Sequence, residues 1–188
     1  MFETIIEFSL LLIIPISVGV NYLGYRIIEF IYDFGSYEAA TAFSILIVAE
    51  IFVFLTTIMG NFISSADKQK AFMKIAGIGA LINIILNFAL IPEFSLYGAG
   101  FATLITYLIM FIIMLIYINK SLLHFRFFNH LIIPAIASFL MWLVLINILH
   151  LHLILIIIIS ALVYSIPVVI YFLTKRKTLS TLKELLTK

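Results

Sequence analysis

Six almost unbroken apolar stretches divide the chain, at residues 8–25, 39–63, 75–91, 98–118, 131–149 and 153–173. Each holds 17 to 25 residues, and a helix rising about 1.5 Å per residue needs roughly 20 to cross some 30 Å of hydrocarbon. The pattern predicts an all-α integral membrane bundle of six transmembrane helices. Pro15 inside the first run removes a backbone hydrogen bond and predicts a kink. Beyond it, residues 26–38 read as a helix continuing to the interface and turning at Gly35, with Arg26 able to snorkel and pair with Glu29. Pro92 ends the third run, and about six residues separate it from the fourth, so these two predict an antiparallel hairpin. Gly77 and Gly79 with Ala76 and Ala80, and Gly98 and Gly100 with Ala99 and Ala102, are small residues that permit close helix approach.

Charge fixes an expected orientation. Lys68, Lys70 and Lys74 fall in the second gap, Lys120 and Arg126 in the fourth, and Lys175, Arg176, Lys177, Lys183 and Lys188 after the last run. On the other side stands Arg26, with Glu29, Asp33, Glu38 and Glu93. The positive-inside rule therefore predicts cytoplasmic even gaps and, over six crossings, both termini cytoplasmic in a cell membrane. Residues 1–173 read as one transmembrane lobe and 174–188 as a basic cytoplasmic tail. Leu179, Leu182, Leu185 and Leu186 share one face of that tail, the pattern of an interfacial helix.

Composition changes this picture little. Hydrophobic residues make up 65% of the chain and charged ones 11%, which leaves no room for a separate soluble domain. The net charge of +2 has a topological meaning, so no nucleic-acid partner is expected. With no cysteine there is no thiol chemistry, and no cofactor is expected. His150 and His152 point apart on a helix and lack further ligands, so no metal site is predicted. The first run is preceded by acids and no base, unlike a cleaved signal, which raises the expectation that Met1 is an internal methionine of a longer protein.

The most informative polar residue is Glu50, midway along the second run. A carboxylate there costs roughly 2.5–3.5 kcal/mol on translocon scales, so it must face protein or water. Glu50, Thr57, Asn61 and Ser64 lie within about 60° of one another on a helix, a stripe running from midplane to one end. They are candidate walls of a hydrophilic cavity, with Glu50 a candidate proton or cation site; the alternative is a protonated carboxyl bonded between helices. Asn21 and Arg26 join the candidate cavity set. Asn83 and Asn87, one turn apart on the third run, are candidates for interhelical hydrogen bonding, with Pro92, Gly98 and Gly100 as packing residues.

One series of residues goes further than periodicity. Gly35, Tyr37, Ala39 and Ala40 precede Gly60-Asn61; then come Asn83, Asn87, Ile91-Pro92, Gly98-Ala99-Gly100 and Ala102-Thr103. From about Pro15 to Lys120 this resembles the polysaccharide flippases, the O-antigen and teichuronic-acid translocases, of the multidrug/oligosaccharidyl-lipid/polysaccharide exporter superfamily. The resemblance implies two six-helix lobes around a central cavity, of which this chain would be the second. It also implies transport of a polyprenyl-diphosphate-linked oligosaccharide between leaflets, with no covalent chemistry and hence no catalytic residues. Drug or cation exporters and lipid II flippases share the same motifs.

The sequence departs from the family pattern in lacking the other lobe and any midplane Lys or Arg for the diphosphate. The implied partners are membrane lipids, the lipid-linked oligosaccharide and a second six-helix lobe, as a missing half, a separate chain or a homodimer copy. A membrane-embedded glycosyl- or acyltransferase component is the competing reading, with His124 and His130 its inner-face candidates. A non-transporting scaffold is the third.

Overall fold

The computed structural model describes residues 2–32 and 37–186, with side chains as far as residue 175. The turn expected at Gly35 and the leucine face of the tail lie outside the described residues or side chains. Five helices make up the described chain: α1 (Phe2–Tyr32), α2 (Tyr37–Ser65), α3 (Gln69–Ser121), α4 (Phe127–Asn147) and α5 (Leu153–Leu186). All five contain stretches long and apolar enough to cross a membrane. They extend past the apolar runs because interfacial residues such as Glu29 and Thr174 tolerate helix as well as loop.

The two runs expected as separate third and fourth helices form one element of 53 residues, α3. It is not straight. Ser95 leaves the helical region at φ 50°, ψ −125°, and the arms on either side fold against each other. Gly79 of the first arm faces Met110 of the second, Asn83 reaches Thr106, and Gly98 backs onto the Leu90 carbonyl. These pairs count down one arm as they count up the other, which is an antiparallel register. Pro92 lies in the last turn before the break, where its missing N–H disrupts the helix least usefully elsewhere and most usefully here.

In the bundle α3 packs on α2, α2 on α1, and α1 on α4, with α5 held mainly by α4. Thus α1 is the hub. One core cluster gathers Phe2, Ile6 and Leu10 of α1, Leu55, Met59 and Ile63 of α2, and Met114 and Ile118 of α3 at one end. Phe2 stacks on Phe62 at 4.1 Å and meets Phe125 edge-on at 5.3 Å, binding the α3–α4 turn to the start of α1. Asn119 shapes that turn by accepting the Phe125 N–H at 2.8 Å. A smaller cluster of Leu23, Met141, Leu145, Leu153 and Ile156 joins α1, α4 and α5 at the other end. Outward positions remain apolar, Phe88 being 80% exposed and Leu12 63%, as a lipid-facing surface requires.

The small residues serve different ends. At Gly98 any side chain would collide with the Leu90 and Ile91 backbone, which cannot move aside without opening the hairpin. Gly100 faces Ile45 of α2, whereas a methyl at Gly77 would meet open space. Gly98→Val should therefore abolish or severely reduce the folded fraction, and Gly77→Ala should leave it unchanged. Ser95→Gly should raise stability by about 1 kcal/mol, because glycine carries no steric penalty at positive φ. Unfolding titrations of the purified chain in detergent would check all three; a stable Gly98→Val protein would refute the close approach.

Candidate functional site

Two polar constellations emerge from this framework. The first is the stripe on α2. Ala40, Ser44 and Ile47 turn toward α1, and Leu55, Met59 and Ile63 toward the core, which leaves Glu50, Thr57 and Asn61 on the exposed side. Thr57 returns its hydroxyl to the Val53 carbonyl at 2.8 Å. Glu50 and Asn61 make no hydrogen bond or ion pair with the described residues. Leu46 and Phe54 interleave with them on the same surface. Beside Thr57 opens a groove of about 520 Å³ between α2 and α3, lined by Asn83, Thr103, Thr106 and Tyr107 among others.

Other expected site residues are dispersed. Asn83 donates to Thr106 Oγ1 at 3.3 Å and accepts from Asn87 at 2.9 Å, so it bridges the two arms of α3 while Asn87 stays on its own helix. Asn21 donates to the Ser44 carbonyl at 3.1 Å, linking α1 to α2. It also lines a groove of about 500 Å³ between α1 and α4, with Tyr22, Ser138 and Trp142.

Arg26 does not pair with Glu29. Its guanidinium donates to the Leu149 carbonyl at 2.6 Å and the Leu151 carbonyl at 3.1 Å. The turn between α4 and α5 presents backbone carbonyls that no helix ladder uses, a better match for a planar five-donor fork than an exposed Glu one turn away. Arg26 thus staples α1 to the α4–α5 turn.

The second constellation escaped sequence reading. Glu7, one residue before the first apolar run, is buried against α5 and α4. Its Oε1 accepts from Tyr171 Oη at 2.7 Å and Lys175 Nζ at 2.8 Å, and its Oε2 from Lys175 Nζ at 2.9 Å. Lys175 also donates to Tyr171 Oη at 3.2 Å, and His130 Nδ1 stands 3.8 Å from Oε2 while its ring stacks on Phe125. Three helices therefore share one neutralised carboxylate. A signal existed: an acid flanks the first apolar run and a lysine the last, at the same bilayer end if crossings are even. What the sequence lacked was the adjacency of α1 and α5.

The bundle, its apolar outer surface and its polar groups at span centres and ends define a multi-pass membrane protein, and no group of three or more His, Cys, Asp or Glu able to hold a metal occurs among the described residues. Its family is known. A family model described as "Lipid II flippase MurJ" matches residues 1–175, and the chain belongs to that family. It is similar to an uncharacterized membrane protein, MJ1068, of Methanocaldococcus jannaschii, with 32% identity over 127 residues; the match takes in 68% of this chain and 25% of that protein. The chain thus aligns with about a quarter of the relative's length. No solved structure matches it. The superfamily expected from the motif series is upheld as a lipid-linked flippase family; the O-antigen type is not singled out.

Removing Arg26 should cost roughly 1.5–3 kcal/mol per charged hydrogen bond lost. Arg26→Met should lower the unfolding midpoint and increase thiol-reagent access to a cysteine placed at His150, and Arg26→Lys should recover only part of the loss. Wild-type access at His150 in the Arg26→Met chain would contradict the staple.

Proposed function

We propose that this chain is one lobe of a flippase that carries a polyprenyl-diphosphate-linked saccharide across the cell membrane. Membership of the MurJ family over residues 1–175 carries the reading. Lipid II and surface-polysaccharide precursors share that diphosphate, prenyl and sugar chemistry, and both remain within the proposal. Transport of this kind breaks no covalent bond, so the protein is not an enzyme in this reading.

The geometry supports a lobe that faces something. Glu50 sits mid-helix, exposed, with no partner among the described residues. A carboxylate so placed in hydrocarbon is costly, by about 2.5–3.5 kcal/mol, whereas against water or a second lobe it is not. The α2 stripe of Glu50, Thr57 and Asn61 then forms one wall of a hydrophilic cavity shared with a second six-helix lobe. Each arm of α3 crosses the bilayer once in this reading, which gives six passages and leaves both termini cytoplasmic.

Depleting the protein in its host should cause a polyprenyl-diphosphate saccharide to accumulate on the inner leaflet, and the accumulated sugar identifies the substrate. No accumulation of any such lipid would end the proposal. In the complete transporter, Glu50→Gln should slow flipping by about tenfold, the scale of a typical coupling free energy, and flatten its pH dependence; an unchanged rate and pH profile would remove Glu50 from ion coupling. Single cysteines at Glu93 and His150 should react with an impermeant reagent outside intact cells while one at Lys120 does not. The reverse pattern would overturn the orientation.

A further inference from the structure

Along most of its length α5 stands off α1. Between them lies an apolar groove of about 350 Å³, with Leu12, Ile16 and Gly19 on one wall and Ile157 and Ala161 on the other. The hydrogen bonds and ring contact that cross it gather toward one end: Tyr164 Oη donates to the Leu11 carbonyl at 2.7 Å, Phe8 stacks on Phe172 at 5.6 Å, and Glu7 takes Tyr171 and Lys175, while at the other end Leu23 packs with Leu153 and Ile156. Pro167 lies inside α5 between Tyr164 and Tyr171. Proline removes one ladder bond and crowds the carbonyl four residues earlier, so the segment carrying Tyr171 and Lys175 joins the rest of α5 at a bending point.

The charges at that end are arranged for exchange. Lys175 keeps 43% of its side chain exposed, while the Glu7 side chain is 8% exposed. The lysine can leave for water or lipid phosphate; the carboxylate cannot. His130, on α4 and 3.8 Å from Glu7 Oε2, stands just beyond hydrogen-bond reach on a helix firmly packed against α1. When Lys175 departs, a small approach by the imidazole gives Glu7 a replacement donor, so the buried oxygen is never stranded.

From this arrangement we infer that Glu7 is a positioning residue for transport, a latch that holds the end of α5 on α1 and exchanges Lys175 for His130 as that end swings away and returns. The role in transport rests on the flippase reading; the latch itself does not.

The chain has no cysteine, so a Phe8→Cys/Phe172→Cys pair supplies its only thiols. In native membranes this pair should cross-link readily with a short bifunctional reagent. Adding Glu7→Gln should slow cross-linking by about tenfold, the population shift expected when a charge-assisted bond is lost, and the Glu7→Lys/Lys175→Glu exchange should restore it. Lys175→Gln serves if the first variant fails to accumulate in the membrane. Cross-linking in Glu7→Gln or Lys175→Gln at the unmodified rate overturns the latch.

Oxidising the pair to a disulfide should then stop movement of the lipid-linked saccharide, and reduction should restore it, an effect a purely structural tie would not produce. Transport that continues through the fully cross-linked protein overturns the positioning role. If the complete transporter built on the cysteine-free chain moves no such lipid either, the functional reading fails, and the cross-linking rates alone decide the latch.

Discussion

Hydrocarbon offers no hydrogen bonds, and that single deficit organises this molecule. Backbone groups answer it by remaining helical, which is why α1, α2 and α5 run beyond their apolar cores. Where the helix must end, a donor is brought to it. Arg26 supplies one at the end of α4, reaching 123 residues along the chain to the Leu149 carbonyl. Buried hydroxyls answer the same deficit locally: Ser9, Thr56 and Ser160 each return to a carbonyl four residues earlier. Side-chain charge is handled by gathering opposite signs at a bundle end, as at Glu7. Among the described residues Glu50 has no partner, as Asn61 and the buried Ser138 Oγ have none, and because Glu50 alone of these three is an acid it carries the most information about what lies outside.

The central place of α1 follows from the same economy of contacts. Without a hydrophobic force between helices in lipid, association depends on close packing and a few polar bonds. The first helix concentrates both: Phe2 and Ile6 enter the larger core, Leu23 the smaller one, Glu7 bonds to α5, Ser17 and Asn21 to α2, and Arg26 to the α4–α5 turn. The hairpin of α3, by contrast, rests mainly on α2, its second arm meeting α1 and α4 only at the larger core, and leaves a broad apolar flank. A bundle with a rigid hub and a peripheral α5, held mainly by α4 and joined to α1 by apolar packing at one end and by hydrogen bonds at the other, has its freedom of motion at the periphery.

Much of the fold was legible because the relevant physics is local. Run lengths set the helices, and Pro92 with the glycines at 98 and 100 announced the hairpin, since steric need at Gly98 is a property of the near backbone. The joining of both arms into one helical element was not legible: Ser95 carries no sign of a left-handed φ, and many other serines in the chain sit in ordinary helix. Of Asn83 and Asn87, both expected to bond between helices, Asn83 reaches Thr106 on the other arm, whereas Asn87 bonds to Asn83 on its own helix. Arg26 went to carbonyls instead of Glu29 because the competing acceptors lie more than a hundred residues away. The Glu7 cluster was hidden for the same reason, its members being separated by up to 168 residues.

If the chain is a flippase lobe as proposed, its two constellations would divide the demands of moving a charged headgroup through lipid. A wall that meets sugar and diphosphate must be polar yet weakly committed, because groups already saturated by protein bonds have nothing to give a passing ligand. Thr57, Asn61 and Glu50 have that character, and they carry no positive charge that would hold a diphosphate too long. The cations such a ligand needs would come from the opposing lobe, which makes the assembled cavity asymmetric: one side attracts phosphate, the other tolerates it. A buried, fully bonded carboxylate such as Glu7 is unsuited to touching the ligand but well suited to defining two states, since each partner it accepts corresponds to one position of α5. Separation of an open surface for the cargo from a closed switch for the protein is what alternating access requires of each lobe.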